Sequence, residues 1–168
     1  DEMFELLDKS VNISELTKGA FDITFASVGY LYNYKNNQRP DEATIASLLA
    51  AINYKYIKLN KPNKSVVFTH DKVKIDLGGI AKGHAVDNSI SLLERMGIIH
   101  GLVTAGGDTR LIGDRRGKPW IVGIRDPRDE QKQAVVMPLQ DSAMSTSGDY
   151  ERYFEEDGKR YHHILSPK

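Results

Sequence analysis

An acid, two glycines and a lysine fall close together in the middle of the chain, as Asp76, Gly78, Gly79 and Lys82. Residues of those types in that order suit a bound anion with a hard cation beside it. Val73 and Ile75 alternate with lysines as in a half-buried strand, and Asp76 stands where that strand would end. Gly78 and Gly79 then permit a tight turn. From Ala81 onwards, Ala85, Val86, Ile90, Leu93 and Met96 recur at helical spacing, and Gly97 supplies a stop. A helix N-terminus is therefore expected directly after the turn. Its free N–H groups attract phosphate, Lys82 adds a point charge, and Asp76 with exposed carbonyls can hold a metal ion. The segment matches neither a Walker loop nor the dinucleotide fingerprint, and a glycine pair between strand and helix is also common connection chemistry.

A second set of reactive types lies towards the end of the sequence. His162 and His163 are adjacent, so on a strand they face opposite ways and are not expected to bind one ion together. One of them, facing inwards near Ser147 and Asp149, can act as a general base or as a hydrogen-bonded structural histidine. Ser147 lacks the strand-turn-helix context of a nucleophile elbow. Ala105-Gly106-Gly107-Asp108 offers two further glycines where backbone can approach a ligand closely. Tyr30, Tyr32 and Tyr34 can stack on a ring, although aromatics at this spacing more commonly line a core or its rim.

The elements that must position these residues follow from patterning. Met3, Phe4, Leu6, Leu7, Val11, Ile13 and Leu16 predict a first helix that Gly19 ends. Pro40-Asp41-Glu42 opens another, with Ile45, Leu48, Leu49 and Ile52 as its buried stripe. Strand-like runs at 54–59 and 66–69 flank the turn residues Lys61 to Lys64. Further strands are expected at 98–103, 111–112, 120–124 and 134–139, with the charged stretch 126–133 as a solvated loop. A last hairpin turns at Asp157-Gly158 and carries the histidines. One α+β domain with a mixed sheet accommodates this order.

Composition narrows the function. The chain has 168 residues, enough for a real core, and 40% of them are hydrophobic. Its 23 basic residues balance its 23 acidic ones, so net charge gives no reason to expect nucleic acid or an anionic membrane as partner. The absence of cysteine excludes disulfides, thiolate catalysis and thiolate metal sites. No apolar run reaches membrane-spanning length, and no signal peptide opens the sequence.

Taken in order, Gly19-Ala20-Phe21-Asp22, the run from Ile75 to Gly83, Ala105-Gly106-Gly107-Asp108, Thr146-Ser147-Gly148-Asp149-Tyr150 and His162-His163-Ile164-Leu165 resemble the ApbE family of FAD:protein FMN transferases. The blocks span nearly the whole chain. The resemblance implies an α+β fold with a mixed, mainly antiparallel sheet and packed helices. It implies Mg-dependent transfer of FMN from FAD to a threonine or serine hydroxyl of an acceptor flavoprotein, with release of AMP. It also implies a periplasmic or lipid-anchored bacterial protein. Residue by residue, Ala20, Phe21, Asp22, Asp76, Lys82 and Leu165 match FAD contacts, the Gly79 carbonyl matches a metal ligand, and His163 matches the candidate base. Ser166 stands where the family usually carries an acid. The family's remaining metal ligands and one further FAD contact are expected from segments outside this sequence. A Mg-dependent FAD pyrophosphatase and a non-catalytic FAD-binding module are the competing readings.

Overall fold

Helix α1 (Glu2–Leu16) places Glu2 and Glu5 in its first turn, where the helix dipole favours acids. Its buried stripe is Phe4, Leu6, Leu7, Ser10 and Ser14. The two serines are paired within the helix, Ser10 Oγ donating to Leu6 O at 2.8 Å and Ser14 Oγ to Ser10 O at 2.9 Å. Leu16, expected inside, is 82% exposed instead. The chain leaves the helix through Lys18 and Gly19, both at positive φ.

The computed structural model describes residues 1–126, 128–148 and 152–167. They form two compact units, one from Asp1–Gly79 with Gly148–Lys168 and one from Ile80–Ser147. In the first unit a 3-10 turn (Ile23–Phe25) leads into the short helix α2 (Ala26–Gly29), and both are largely buried. Helix α3 (Glu42–Leu48) is capped by Asp41, whose carboxylate accepts the Thr44 N–H at 2.7 Å and the Thr44 hydroxyl at 3.0 Å. Those bonds hold its carboxyl below the usual range. The stripe expected along this helix is shallow: Ile45 and Leu48 are half-buried and Leu49 is exposed, so Ala51 just beyond carries the packing.

Strands β1 (Ile57–Asn60) and β2 (Ser65–Phe68) pair antiparallel with Ile57 opposite Phe68. Residues 54–56, expected to begin the first strand, form a 3-10 turn capped by Asn53. Leu7, Ile23 and Ile57 make the centre of the core, and Val11, Phe21, Leu59, Val66, Ile75 and Leu77 pack around it.

The second unit begins with helix α4 (Ala81–Arg95). It ends as the sequence requires, with Gly97 at φ 83° and the Gly97 and Ile98 N–H groups donating to Glu94 O and Leu93 O. That cap takes Ile98 out of the following strand. Strands β3 (Gly101–Ala105) and β4 (Asp108–Ile112) form a hairpin whose turn residues Gly106 and Gly107 both have positive φ. Strands β5 (Trp120–Asp126) and β6 (Asp129–Leu139) form a separate ribbon, and β7 (Ala143–Ser145) pairs with β4. Helix α4 packs on β3 and β4, where Val86, Ile90, Leu111 and Ile112 are buried.

The charged stretch expected as a solvated loop is strand for much of its length. Arg125 stands opposite Gln133 and Asp126 opposite Asp129, with the register shifting on either side of Arg125. A two-stranded ribbon with solvent on its flanks accepts charges along both strands, which is why polarity misled here.

The chain returns to the first unit with β8 (Tyr153–Glu156) and β9 (Lys159–His162), joined through Asp157 and Gly158, both at positive φ. Phe154 is buried and stacks on Tyr161. Tyr34 Oη donates to His162 O at 3.1 Å, and Arg39 Nε donates to Glu156 Oε2 at 2.6 Å. These contacts tie the hairpin to residues near the start of the chain. The result is an α+β fold in which every strand pairing among the described residues is antiparallel.

Candidate functional site

In the first unit the Asp76 segment is held without a strand partner. Residues 73–75, expected as a strand, join no ladder; Val73 N–H donates to His70 O at 3.2 Å, and the backbone from Lys74 to Asp76 bonds to the segment 23–30. Lys74 N–H donates to Ser27 Oγ at 3.1 Å, Asp76 N–H to Ile23 O at 2.9 Å, and Tyr30 Oη to Ile75 O at 2.9 Å. Ile75 and Leu77 on either side pack against the core. Asp76 is thus fixed at a half-buried point, and its Oδ1 accepts the Gly78 N–H at 2.7 Å.

The glycines after it are there for close approach. Neither Gly78 nor Gly79 has a positive φ. A Cβ at Gly78 would sit 2.8 Å from Asp76 Oδ1, and one at Gly79 would sit 3.3 Å from Phe21 Cε2. Phe21 and Gly79, both singled out in the sequence, therefore meet. Ala20 is exposed beside them.

Asp22 has a different surrounding from the open carboxylate that a ligand contact suggests. It is buried, with Oδ1 accepting the Thr24 N–H at 2.8 Å and the Thr24 hydroxyl at 2.6 Å, while Oδ2 accepts the Tyr54 N–H at 2.8 Å. Both carboxylate oxygens serve the local fold. Leu165 lies against α2, close enough that a Cβ at Gly29 would be 3.7 Å from its Cδ1.

His163 follows directly after β9. Its backbone N–H donates to Arg152 O at 3.1 Å, and its Nδ1 lies 3.2 Å from the same oxygen. A carbonyl only accepts, so this bond requires the proton on Nδ1 and leaves Nε2 as the basic nitrogen of the neutral ring. His162, by contrast, has its Nδ1 buried with no partner among the described residues. Asp149, expected near His163, lies outside the described residues.

In the second unit Lys82 stands in the first turn of α4 and donates from Nζ to Gly106 O at 2.8 Å. No side chain caps this helix end, which leaves its first N–H groups without that partner. The Gly106-Gly107 turn is closed by Thr146, whose N–H and hydroxyl donate to Gly107 O at 3.2 and 3.3 Å. Ser145 Oγ donates to Asp108 Oδ1 at 2.6 Å, and a Cβ at Gly83 would lie 3.6 Å from Asp108 Oδ2. A lysine and the first turn of a helix thus stand beside a glycine turn whose hydroxyls are spent on Asp108 and Gly107 O; the ammonium and the helix N–H groups are the donors suited to an anion. Asp87 accepts from Arg110 Nη1 at 2.8 Å on the same helix.

The sequence points to the lysine, the glycines and the ring of Tyr30, but not to the bonds of the Tyr30 hydroxyl and the Tyr54 N–H, whose partners Ile75 O and Asp22 lie far along the chain, nor to Thr24, which is tied to Asp22 two residues before it.

The chain was compared with known proteins. The model of the ApbE family matches residues 1–168. The FAD:protein FMN transferase of Haemophilus influenzae is 32% identical over 98% of this chain, and that of Vibrio cholerae is 34% identical over 96%. The chain spans about half the length of these relatives, 50% of each. Among solved structures, the ApbE protein of Thermotoga maritima superimposes with a TM-score of 0.90 at 40% identity, covering 99% of this chain and 55% of the other. The apo flavinyl transferase ApbE of Pseudomonas stutzeri gives 0.82 at 28% identity, covering 99% and 52%.

Proposed function

The chain belongs to the ApbE family, and from that premise we propose that it serves a FAD:protein FMN transferase reaction. The oxygen of an acceptor threonine or serine attacks the FMN phosphorus of FAD. The bond from that phosphorus to the bridging pyrophosphate oxygen breaks, AMP departs, and the hydroxyl proton passes to His163 Nε2. The Arg152 carbonyl supports this assignment of the base, because it requires the ring proton on Nδ1 and keeps the other nitrogen free to accept. That one relationship carries the reading of the residues.

Phe21, Asp76, Leu165 and Lys82 are proposed FAD contacts on the strength of the family resemblance. Lys82 and the uncapped first turn of α4 supply positive charge and N–H donors for phosphate oxygens. Asp76 offers carboxylate lone pairs to polar hydrogens. Ala20 and Asp22 belong to the same segment, with Asp22 acting through the fold around it.

The family resemblance adds magnesium, with the Gly79 carbonyl as one ligand. A lone carbonyl does not make a magnesium site, and among the described residues no three of His, Cys, Asp and Glu gather in a way that could hold a metal ion. The residues described do not fit the ion by themselves, so no step is derived through it. An exported, periplasmic or lipid-anchored location belongs to the same proposal and rests on the resemblance alone.

The deciding experiment incubates the protein with FAD and a threonine-bearing acceptor, with and without magnesium, and follows AMP release and acceptor mass. An acceptor heavier by FMN, with AMP in equal amount, is the expected result. AMP and FMN free in solution would mean hydrolysis, and FAD bound intact would mean a binding module.

A further inference from the structure

We propose that Tyr30 is a positioning residue for Asp76, acting through the peptide group that joins Ile75 to Asp76. The inference rests on the reading of Asp76 as a FAD contact.

That peptide group is held at both ends. Its N–H, on Asp76, donates to Ile23 O at 2.9 Å, and its C=O, on Ile75, accepts from Tyr30 Oη at 2.9 Å. A planar peptide has one orientation once both its polar ends are fixed, and that orientation sets the direction in which the next Cα–Cβ bond leaves. The Asp76 carboxylate is then anchored at its far end by the Gly78 N–H at 2.7 Å. Tyr30 therefore controls one of the three points that define where the carboxylate stands.

Three features argue that this bond serves position more than bulk stability. The Tyr30 side chain is 55% exposed, so it contributes little to the core. The segment it holds has no strand ladder to fix its peptide planes. The hydroxyl also lies beside the Asp76 carboxylate: desolvation first, that charge second and hydrogen bonding to the carboxylate third push the phenol above its usual range. The hydroxyl thus stays protonated and able to donate.

The test is a double-mutant cycle on FAD affinity in the protein, using Tyr30→Phe, Asp76→Ala and the pair. Tyr30→Phe should weaken FAD about fivefold, and Asp76→Ala about tenfold or more. In the Asp76→Ala background the same Tyr30→Phe change should alter affinity by less than about twofold, because the group it positions is gone. Without FAD, the Gly78 amide resonance should move in Tyr30→Phe as its acceptor oxygen shifts. Tyr30→Leu, which also lacks the hydroxyl, should repeat the loss of affinity while thermal unfolding shows both variants folded.

Losses that multiply in the double variant would overturn the inference, as would wild-type affinity in Tyr30→Phe or an unmoved Gly78 resonance. Asp76→Ala with unchanged affinity would remove the route through Asp76. A wild-type protein that binds no FAD would defeat the reading of the site itself, a separate outcome from a wild type that binds while Tyr30→Phe matches it.

Discussion

A single carbonyl, that of Arg152, anchors both the backbone and the ring of His163. The arrangement sets the ring's tautomer through main chain alone, so substitution at residue 152 should leave it in place. In the neutral protein, nitrogen chemical shifts of the ring should show Nδ1 protonated and Nε2 bare. The reverse pattern would remove His163 as the proton acceptor.

If Nε2 takes the acceptor's proton, His163→Ala should slow FMN transfer by roughly a hundredfold or more while FAD affinity stays close to wild type. His162→Ala should do much less, since its Nδ1 is buried without a partner among the described residues, whereas the His163 ring is fixed by the Arg152 carbonyl. Single-turnover transfer at saturating FAD, with binding measured separately, distinguishes the two. Equal and small effects would leave the reaction without this base.

Asp22 should act through stability. Replacing it by Ala strands the N–H and hydroxyl of Thr24, itself fully buried, together with the N–H of Tyr54. Buried donors left without acceptors cost enough that Asp22→Ala should lose about 2–4 kcal/mol of folding free energy. Urea unfolding measures this, and a midpoint equal to wild type would contradict the assignment.

Gly106→Ala should imitate Lys82→Ala. The new Cβ would come 2.8 Å from Lys82 Cδ, and at φ 54° the alanine is strained as well. The lysine must then leave its bond to Gly106 O, and FAD affinity should fall several-fold in both variants. Titration of FAD fluorescence checks this. A Gly106→Ala protein that binds as tightly as wild type would show that the position of Lys82 is immaterial.

Alkaline pH should reach Tyr34. Burial, with Tyr32 nearby, pushes its phenol from about 10 up to about 12. The folded state thus favours the protonated form, so this contribution to stability is complete below pH 10 and fades as pH rises through about 12. Deprotonation also costs the bond to His162 O. Tyr34→Phe should be less stable at neutral pH and lose less on going from pH 10 to 12. Parallel stability curves for the two proteins would rule out this origin.

Elements closed by local chemistry were the legible ones. Gly97 ends α4, and Gly106-Gly107 and Asp157-Gly158 make the two tight hairpins, each from residues suited to positive φ. Errors arose where distant partners decide. Val73 and Ile75 alternate like a strand yet join no ladder, because Val73 N–H turns back to His70 O and Ser27, Ile23 and Tyr30 satisfy the backbone from Lys74 to Asp76. Ser10 and Ser14 were overlooked as buried because their hydroxyls satisfy themselves on the preceding turn. The turn that carries Asp76 and Gly79 and the helix start that carries Lys82 could be found from type and spacing. The structural use of Asp22 could not, since Tyr54 is remote in sequence.

The first unit is built from two stretches of chain with all of Ile80–Ser147 between them. Tyr34 and His162, which join across it, are separated by 128 positions. Closing so long a loop costs entropy before any contact returns it, so pairing of this kind forms late. During synthesis Ile80–Ser147 is complete before the β8–β9 hairpin exists, and Tyr34 must wait for Phe154 and the His162 carbonyl until residues 153–162 emerge. His163 and Leu165 follow directly after that hairpin. A chain made only as far as Ser147 thus leaves Tyr34 without its ring partner Phe154 and lacks the residue proposed as the base.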